Sequence, residues 1–404
     1  MRKLKILQIA TQVPFPPTDG GKLSVFGLIE NLSANGHEID FVCYRNHADY
    51  TSSIDALRPY CNPYILDVQT DNNVIKAVFN LYSEIPYNAS KYYSDKMIDC
   101  VSKLLRNKSY DIIQVNHLHI GWLSKQIRKL TDIPLVMRSQ NIETIIMKRF
   151  SEQVKNPLLK YYSLLQYRKL LKYEPLMYSG FDKCILISDS DLKLLKEIQP
   201  QINAAAIPSG IREELLNYGR GENIPFSIAH IGHTDWYPNY DSLNWFLNEI
   251  FPEVIKKFPL ATLYVFGGGN TKNFPVPKFV KNNVKVIGFV EDLWKELSRI
   301  QVTVVPLRIG GGIRIKILEL LATGNLVVTT SVGKEGIDVE NGKHVLIAEN
   351  PVDFVEHLTR IFEGVNMNDI IGEGRKFITN NYTWEKITKR FEEEYYKLLP
   401  KESR

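Results

Sequence analysis

Short apolar segments alternate with longer segments of helical pattern, and the whole alternation occurs twice along the chain. The first half contains five strand-like segments, residues 5–10, 38–44, 111–115, 135–138 and 184–188. The second half contains six, residues 226–231, 261–266, 284–288, 302–306, 326–330 and 344–347. Strands that are apolar on both faces and alternate with helices are typical of parallel sheets that helices cover on both sides. The pattern therefore predicts an α/β protein with two doubly wound, Rossmann-like sheets.

Chain length and the second set of strands predict two domains. A chain of 404 residues exceeds one ordinary domain of about 100–200 residues. The stretch 207–224 is rich in glycine, asparagine and proline, so we place the first domain at residues 1–206 and the second at residues 207–383. Ligands of doubly wound sheets bind at the carboxyl ends of the strands, which predicts a site in the cleft between the two domains.

Composition and charge narrow the class of protein. The longest apolar runs fall short of the roughly 18–20 residues of a membrane-spanning helix, and the first apolar stretch runs into a proline-rich segment. The sequence therefore predicts a cytoplasmic protein. The four cysteines have no metal-binding spacing. Of the net charge of +5, residues 1–205 carry +6 and residues 206–404 carry −1, which indicates an anionic partner of the first half, such as a lipid headgroup.

Two charged segments have a functional and a structural interpretation. Residues 148–172 carry seven basic side chains against the single acid Glu152, with four aromatic residues between them. Such a segment suits an anionic membrane surface at the inner face of the plasma membrane, and a charged helix facing solvent is the alternative. Residues 189–191 have the Asp-Ser-Asp form of a metal-binding motif. Since they follow a strand and begin a helix, we expect Ser188 or Asp189 to cap that helix and expect no metal site.

The segment 302–324 carries the most specific chemistry. It combines a buried strand, the glycines Gly310, Gly311 and Gly312, and a helix that ends at Gly324. Glycines allow backbone amides to approach a ligand closely, and the start of a helix stabilises an anion by about 0.3–1 kcal/mol. The segment therefore predicts a binding site for a diphosphate.

Helical spacing sorts the side chains after these glycines. Lys316 and Glu319 are three residues apart and share one face. A lysine near the helix start can contact a phosphate, a carboxylate one turn later can accept the hydroxyls of a ribose, and Arg314 in the first turn can also reach a phosphate. The alternative is that Lys316 and Glu319 form a solvated pair on the helix surface.

This stretch resembles the donor site of retaining glycosyltransferases of family 4 (glycosyl transferases group 1), in the branch with the pattern Gly-Gly-Gly-x-Arg-x-Lys-x-x-Glu. The resemblance implies the GT-B fold, two Rossmann-like domains facing a cleft, with a nucleotide diphosphate sugar held by the second domain. Glu319 matches the glutamate that binds ribose. The family's other glutamate, which contacts the transferred sugar, falls on Gly311. That contact is therefore expected from the backbone amides of Gly311, Gly312 and Ile313.

Further segments of the second half resemble the same branch. Residues 232–239 carry its Asp-Trp-x-Pro-Asn pattern where the family has a phosphate-binding loop. Residues 288–292 resemble the segment whose backbone meets the nucleotide base, and residues 330–337 resemble a loop that closes on the donor. Trp236 is expected either to stack in the cleft or to pack in the core. The resemblance adds six residues to the predicted donor site: Gly232, Trp236, Asn239, Val290, Gly333 and Gly336.

The first half resembles the acceptor side of the family. Its proline-rich loop ends in Gly20 and Gly21, whose backbone amides are expected to face the reaction centre. Many relatives place a functional histidine after the strand at 111–115. The corresponding position here is Asn116, so His117 and His119 are both candidates, with a structural role as the alternative for each.

Three more segments match the branch in the first half and at the carboxyl end. They are residues 138–143, which include Asn141, the pair Tyr173-Glu174, and residues 384–400, which resemble a final helix that packs back onto the first domain.

These features predict a transferase that needs no metal ion or other cofactor. It is expected to move a hexose from a UDP- or GDP-linked donor to a hydroxyl of a saccharide or lipid-linked acceptor, in cell-surface polysaccharide biosynthesis. Lys316 and Arg314 would stabilise the leaving diphosphate, and the resemblance implies retention of the anomeric configuration. A nucleotide-sugar 2-epimerase and a non-catalytic nucleotide-sugar-binding scaffold are the alternatives. The sequence contains no nucleic-acid-binding motif.

Overall fold

A computed structural model of the chain describes residues 2–17, 19–45, 51–154, 156–310 and 313–400. The chain divides into two compact units, of which the first comprises Met1–Gly210 with Trp384–Arg404 and the second comprises Ile211–Thr383. Each unit has its own parallel sheet with helices on both sides. The two predicted Rossmann-like sheets are thereby confirmed. Among the described residues, no helix is both long and apolar enough to cross a membrane.

The first unit contains a seven-stranded sheet of order β3-β2-β1-β4-β5-β6-β7. The strands are β1 Lys5–Ala10, β2 Glu38–Tyr44, β3 Asn62–Leu66, β4 Ile112–Asn116, β5 Leu135–Ser139, β6 Lys183–Leu186 and β7 Ala204–Ala206. The helices are α1 Gly20–Ala34, α2 Thr51–Asp55, α3 Val74–Phe79, α4 Tyr87–Ser90, α5 Asp95–Asn107, α6 Leu123–Ile127, α7 Glu143–Gln153, α8 Pro157–Tyr178 and α9 Asp189–Ile198, together with the C-terminal helix α16 Trp384–Leu398. The central strands are almost completely buried, because helices cover both of their faces.

The second unit contains a six-stranded sheet of order β10-β9-β8-β11-β12-β13. The strands are β8 Ile224–Ile231, β9 Thr262–Phe266, β10 Val284–Gly288, β11 Ile300–Val305, β12 Val327–Thr329 and β13 Leu346–Ile347. The helices are α10 Tyr237–Trp245, α11 Phe251–Lys257, α12 Leu293–Leu297, α13 Ile315–Ala322, α14 Pro351–Phe362 and α15 Asn368–Asn381. In both sheets the strand order reverses beside the first strand of the unit, which is where doubly wound folds bind their ligands.

Helix α16 belongs to the first unit because a large aromatic side chain fixes it there. Trp384 is 4% exposed and fills space that two glycines leave open. A Cβ atom on Gly27 would lie 2.2 Å from the indole ring, and one on Gly210 would lie 2.5 Å from it. Farther along α16, the buried Tyr395 hydroxyl donates a hydrogen bond to Gln114 in β4.

The sequence pattern missed the two edge strands of the first sheet. Strand β3 is only partly buried and contains Pro63, and β7 consists of three alanines. Edge strands have a neighbour on one side alone and lack the continuous apolar run of a central strand.

Helix starts differ from the predicted ones at two positions. Helix α1 begins at Gly20, since the Asp19 side chain accepts a hydrogen bond from the Lys22 amide at 2.9 Å. Gly20 and Gly21 therefore lie in the first helical turn and not in the preceding loop. Arg314 is the cap that precedes α13 and not a residue of its first turn. The predicted cap of α9 is confirmed as Ser188, whose hydroxyl accepts from the Asp191 amide at 3.1 Å.

Candidate functional site

A tight turn follows β8 at the predicted phosphate-binding loop. Gly232 has φ +155°, and a Cβ atom there would lie 2.5 Å from the carboxamide of Asn239. The side-chain Nδ2 of Asn239 donates to the backbone carbonyl oxygen of His233 at 3.0 Å. Glycine is thus required at position 232 both by its backbone conformation and by the close approach of Asn239.

Lys316 joins this turn to the helix that follows the glycine-rich segment. Its Nζ donates to the carbonyl oxygen of Ile231 and to Oδ1 of Asn239, both at 2.9 Å. The two loops follow β8 and β11, which are neighbours at the point where the strand order reverses. The structure therefore brings Gly232, Asn239 and Lys316 together at the carboxyl edge of the second sheet, where doubly wound folds bind ligands.

The ammonium group of Lys316 carries a charge that its hydrogen-bond partners do not neutralise. Both acceptors, a carbonyl and a carboxamide oxygen, are uncharged. Burial, together with the positive charge of Arg314, lowers the pKa of Lys316 to about 7. A partly buried cation without a carboxylate partner is unfavourable by itself, so an incoming diphosphate would supply the missing negative charge.

A second cation, Arg314, lies near Lys316 and contacts the ring of Trp236. The guanidinium carbon of Arg314 lies 5.4 Å from the centre of the Trp236 ring, a distance typical of a cation–π interaction. Gly310 has φ +146°, and a Cβ atom there would lie 1.7 Å from Nη2 of Arg314. Trp236 is 43% exposed, which excludes the predicted alternative of a core-packing tryptophan.

Glu319 lies one turn after Lys316 on α13 and is 8% exposed. Burial raises the pKa of its carboxyl group to about 7, although Arg212 acts in the opposite direction. Arg212 Nη2 is 3.6 Å from Glu319 Oε1, and the arginine side chain is 48% exposed. Arg212 was not predicted, because it lies in the irregular stretch before β8 and no local pattern marks it. The predicted solvated Lys316–Glu319 pair is wrong, since each side chain has a different partner.

The remaining predicted donor residues lie at the same edge of the sheet or outside the described residues. The Gly333 amide donates to the Thr330 hydroxyl at 2.9 Å, and Gly336 has φ +79°. Val290 is partly buried and follows β10, and Ile313 is buried. Gly311 and Gly312 lie outside the described residues.

In the first unit, Asn116 has a structural environment. It ends β4 and is 1% exposed. Its side-chain amide donates to the carbonyl oxygen of Ile9 at 3.3 Å, and its Oδ1 accepts from Gln114 at 3.0 Å. The contact with Ile9 connects β4 to β1, so this side chain stabilises the sheet.

The structure separates the two candidate histidines. His117 has φ +80°, and its Nδ1 is 3.3 Å from the Thr11 hydroxyl. A Cβ atom on Gly21 would lie 3.9 Å from its Nε2, so His117 lies beside the predicted acceptor-side glycines. Burial, followed by the charge of His119, lowers the pKa of His117 to about 4. The imidazole is therefore neutral at pH 7 and can accept a hydrogen bond from a hydroxyl.

His119 faces a different environment from His117. Its Nε2 is 3.7 Å from a carboxylate oxygen of Glu143, and its ring centre is 5.7 Å from that of Tyr92. Burial and the nearby charge of Lys91 lower the pKa of His119 to about 4, and burial raises that of Glu143 to about 7. Of the two histidines, His117 alone lies next to Gly21.

A buried carboxylate shapes the loop that contains Asn141. Glu174 is 1% exposed and accepts hydrogen bonds from the amides of Glu143 and Thr144 at the start of α7, at 3.0 and 2.9 Å. The Ser139 hydroxyl in turn donates to the carbonyl oxygen of Asn141 at 2.7 Å. Asn141 is partly buried, and Glu174 fixes the backbone that follows it.

Binding of a nucleoside diphosphate is expected to take up close to one proton at about pH 8.5. With a pKa of about 7, Lys316 is mostly neutral at that pH, and a bound diphosphate stabilises its charged form. Glu319 is already ionised there, and burial of His230 lowers its pKa to about 3, so His230 stays neutral. Calorimetric titration of UDP in two buffers of different ionisation enthalpy measures the uptake.

The Lys316→Met variant is the control for this proton uptake, and we expect it to take up none. Equal apparent enthalpies of UDP binding in both buffers for the wild-type protein would contradict the assignment of Lys316 to the diphosphate.

Comparison with known proteins relates this geometry to a family. Residues 225–364 match the family described as Glycosyl transferases group 1. They contain Gly232, Trp236, Asn239, Arg314 and Lys316, which together we term the Lys316 cluster. Over 398 residues the chain is 24% identical to a 44.6 kDa protein in the cps region of Klebsiella pneumoniae. This match covers 95% of this chain and 97% of that protein.

Two solved structures resemble this chain over nearly all of its length. Sucrose-phosphate synthase from Thermosynechococcus elongatus is 17% identical with a TM-score of 0.72, and the match covers 98% of this chain and 99% of that chain. HepE from Anabaena, solved in complex with UDP, is 13% identical with a TM-score of 0.68, and the match covers 98% of this chain and 100% of that chain. At these identities the likeness shows the fold, and the predicted GT-B fold is confirmed.

Proposed function

We propose that this glycosyltransferase, whose residues 225–364 match the family described as Glycosyl transferases group 1, moves a hexose from a nucleotide diphosphate sugar to a hydroxyl of a saccharide or lipid-linked acceptor. The observation that supports this proposal most is the position of Lys316. Its charged group lies at the reversal of strand order in the second sheet, held by the turn after β8, and both of its partners are uncharged. Such a group suits a diphosphate that gains negative charge as it leaves.

In the proposed reaction, the bond between the anomeric carbon and the diphosphate oxygen breaks, and its electron pair stays on the diphosphate. Lys316 and Arg314 stabilise that charge, and no metal ion is required. The acceptor hydroxyl forms a new bond to the anomeric carbon and gives up its proton, for which the leaving diphosphate oxygen is a suitable base. The neutral His117, beside Gly21, accepts a hydrogen bond from a hydroxyl of the acceptor. The family resemblance supports retention of configuration.

The donor is a UDP- or GDP-linked sugar in this proposal. Glu319 accepts the ribose hydroxyls, and the backbone amides around Ile313 contact the sugar. UDP is the first nucleotide to test, because the HepE structure contains it.

The proposed pathway is the synthesis of a cell-surface polysaccharide, with the acceptor at the cytoplasmic face of a membrane. Two observations support this. One relative lies in a cps region, and the first half of the chain carries the whole positive net charge.

Nucleotide titration followed by product analysis tests the proposal. We expect one of UDP, GDP and ADP to bind at least about tenfold more tightly than the others, because a single base fits the site. With the matching nucleotide sugar, nuclear magnetic resonance should detect a slow release of free sugar to water and, with an accepting hydroxyl present, a glycoside. Conversion of the donor at its C2 carbon would instead identify an epimerase. Binding of a nucleotide without release or transfer of its sugar would identify a non-catalytic nucleotide-sugar-binding scaffold, and absence of binding by all three nucleotides would overturn the proposal.

A further inference from the structure

Helix α3 of the first unit is apolar but buries none of its side chains. Its sequence is Val-Ile-Lys-Ala-Val-Phe, and none of these six described residues is buried. Val74 is 81% exposed, Ile75 67% and Phe79 72%. A helix of this composition normally packs its apolar side against a core. Contiguous exposed apolar side chains of this kind mark a surface that binds something.

Helix α3 is fixed in this exposed position by polar contacts. The Asn73 side chain caps the helix by accepting from the Lys76 amide at 3.0 Å. At its other end, Oδ1 of Asn80 accepts from Gln166 at 3.1 Å and from Lys169 at 3.2 Å, both on α8. Tyr82, which follows the helix, is 93% exposed. Because these hydrogen bonds hold the segment in place, Phe79 and Tyr82 are exposed in a segment that is itself fixed to the rest of the unit.

Helix α8 contributes a second exposed stripe that mixes apolar and basic side chains. Leu158 is 81% and Tyr161 66% exposed, and Arg168 and Lys172 follow at helical spacing on the exposed side. Of the 24 large exposed apolar side chains in the described part of the chain, 13 lie in residues 74–85 and 158–176. These two segments are neighbours, because Asn80 contacts α8, and together they form what we term the α3–α8 face.

The charge of the α3–α8 face comes from α8. Over residues 71–91 the charges balance, with Lys76 and Lys91 against Asp71 and Glu84. Helix α8 carries four basic residues and one acid, and that acid, Glu174, is buried. A second copy of the chain would bring the same cations together across a two-fold axis, which is repulsive. An anionic surface is complementary to them.

We propose that the α3–α8 face docks the first unit onto an anionic lipid bilayer. Side chains of α3 and Tyr82 enter the interfacial layer, where aromatic residues are favoured, and the basic residues of α8 meet the headgroups. The inference rests on the proposed function in one respect, which is that docking would bring the enzyme to a membrane-bound acceptor. It extends the sequence-based prediction from residues 148–172 to α3, which that prediction did not include.

Vesicle co-sedimentation of the full chain tests this docking. We expect binding to phosphatidylcholine vesicles that contain about one-third phosphatidylglycerol, and much weaker binding to phosphatidylcholine alone. The double variant Phe79→Ser with Tyr82→Ser should bind the anionic vesicles roughly tenfold more weakly, because it loses apolar insertion. Neutralising Arg168 and Lys172 with glutamine should weaken binding about fivefold per charge. Leu260→Ser, at a 76% exposed position of the second unit, is the matched control and should bind like the wild type.

Three results would overturn the inference. They are equal binding to both kinds of vesicle, wild-type binding by the Phe79 and Tyr82 variant, and a wild-type dimer in sedimentation velocity that this variant abolishes. Urea unfolding of each variant excludes a general loss of folding. UDP titration of the same preparations separates this inference from the proposed function. Intact UDP binding with no vesicle binding overturns only the docking, and the reverse result overturns only the transferase.

Discussion

Replacing Lys316 with methionine should lower kcat/KM for sugar transfer by about 10²- to 10³-fold, as expected when one group that stabilises the developing charge is removed. Methionine keeps the length of the side chain but removes the ammonium group that Ile231 and Asn239 hold in place. Because the charge on the diphosphate grows as the sugar bond breaks, most of the loss should fall on kcat rather than on KM. Steady-state kinetics with the donor nucleotide sugar measure both parameters.

The stability of the Lys316→Met variant distinguishes this catalytic role from a structural one. Its unfolding midpoint in urea should not fall, since removing a charge that lacks a carboxylate partner relieves an unfavourable burial. Lys285→Met, at a lysine that stacks over Tyr264 in β9 at 5.1 Å, is the matched control and should retain full activity. A kcat within about threefold of wild type for Lys316→Met would contradict the assignment.

Replacing Glu319 with glutamine should weaken donor binding by about 10- to 150-fold, the effect of losing one charge-assisted hydrogen bond. Glutamine preserves the shape of the side chain, and Arg212, which it leaves without its carboxylate partner, is half exposed and can be solvated. Ribose is bound equally in the ground state and the transition state, so KM should rise more than kcat falls. Calorimetric titration of UDP into both proteins measures the change.

A double-mutant cycle with the ligand shows whether Glu319 contacts ribose itself. The wild-type protein should bind 2′-deoxy-UDP more weakly than UDP, whereas Glu319→Gln should bind the two ligands with nearly equal affinity. Glu253→Gln, which alters a surface ion pair with Lys256, is the control and should behave like the wild type. Equal loss of affinity for the deoxy ligand in both proteins would place the ribose elsewhere.

The sequence by itself determined the central strands, the two Rossmann-like sheets and the segments that form the Lys316 cluster. These features depend on local chemistry. Strands β1 and β11 are largely apolar runs because both of their faces are buried. Gly232 and Gly310 mark backbone conformations that other residues rarely adopt. A largely apolar run or a glycine at a tight turn is visible within a few residues of sequence, so it can be identified without knowing which segments pack against it.

Only the tertiary structure decided which distant side chains meet. Lys316 contacts Ile231 and Asn239, which are 85 and 77 residues away in the sequence, because β8 and β11 are adjacent in the sheet. The order of strands in a sheet cannot be inferred from any single segment of the sequence. The same reason explains why Arg212, the partner of Glu319, was missed. It also explains why His117 could be separated from His119 only after α1 was placed beside it. The exposure of Phe79 is likewise a tertiary property, since an apolar helix predicts burial until the packing around it is known.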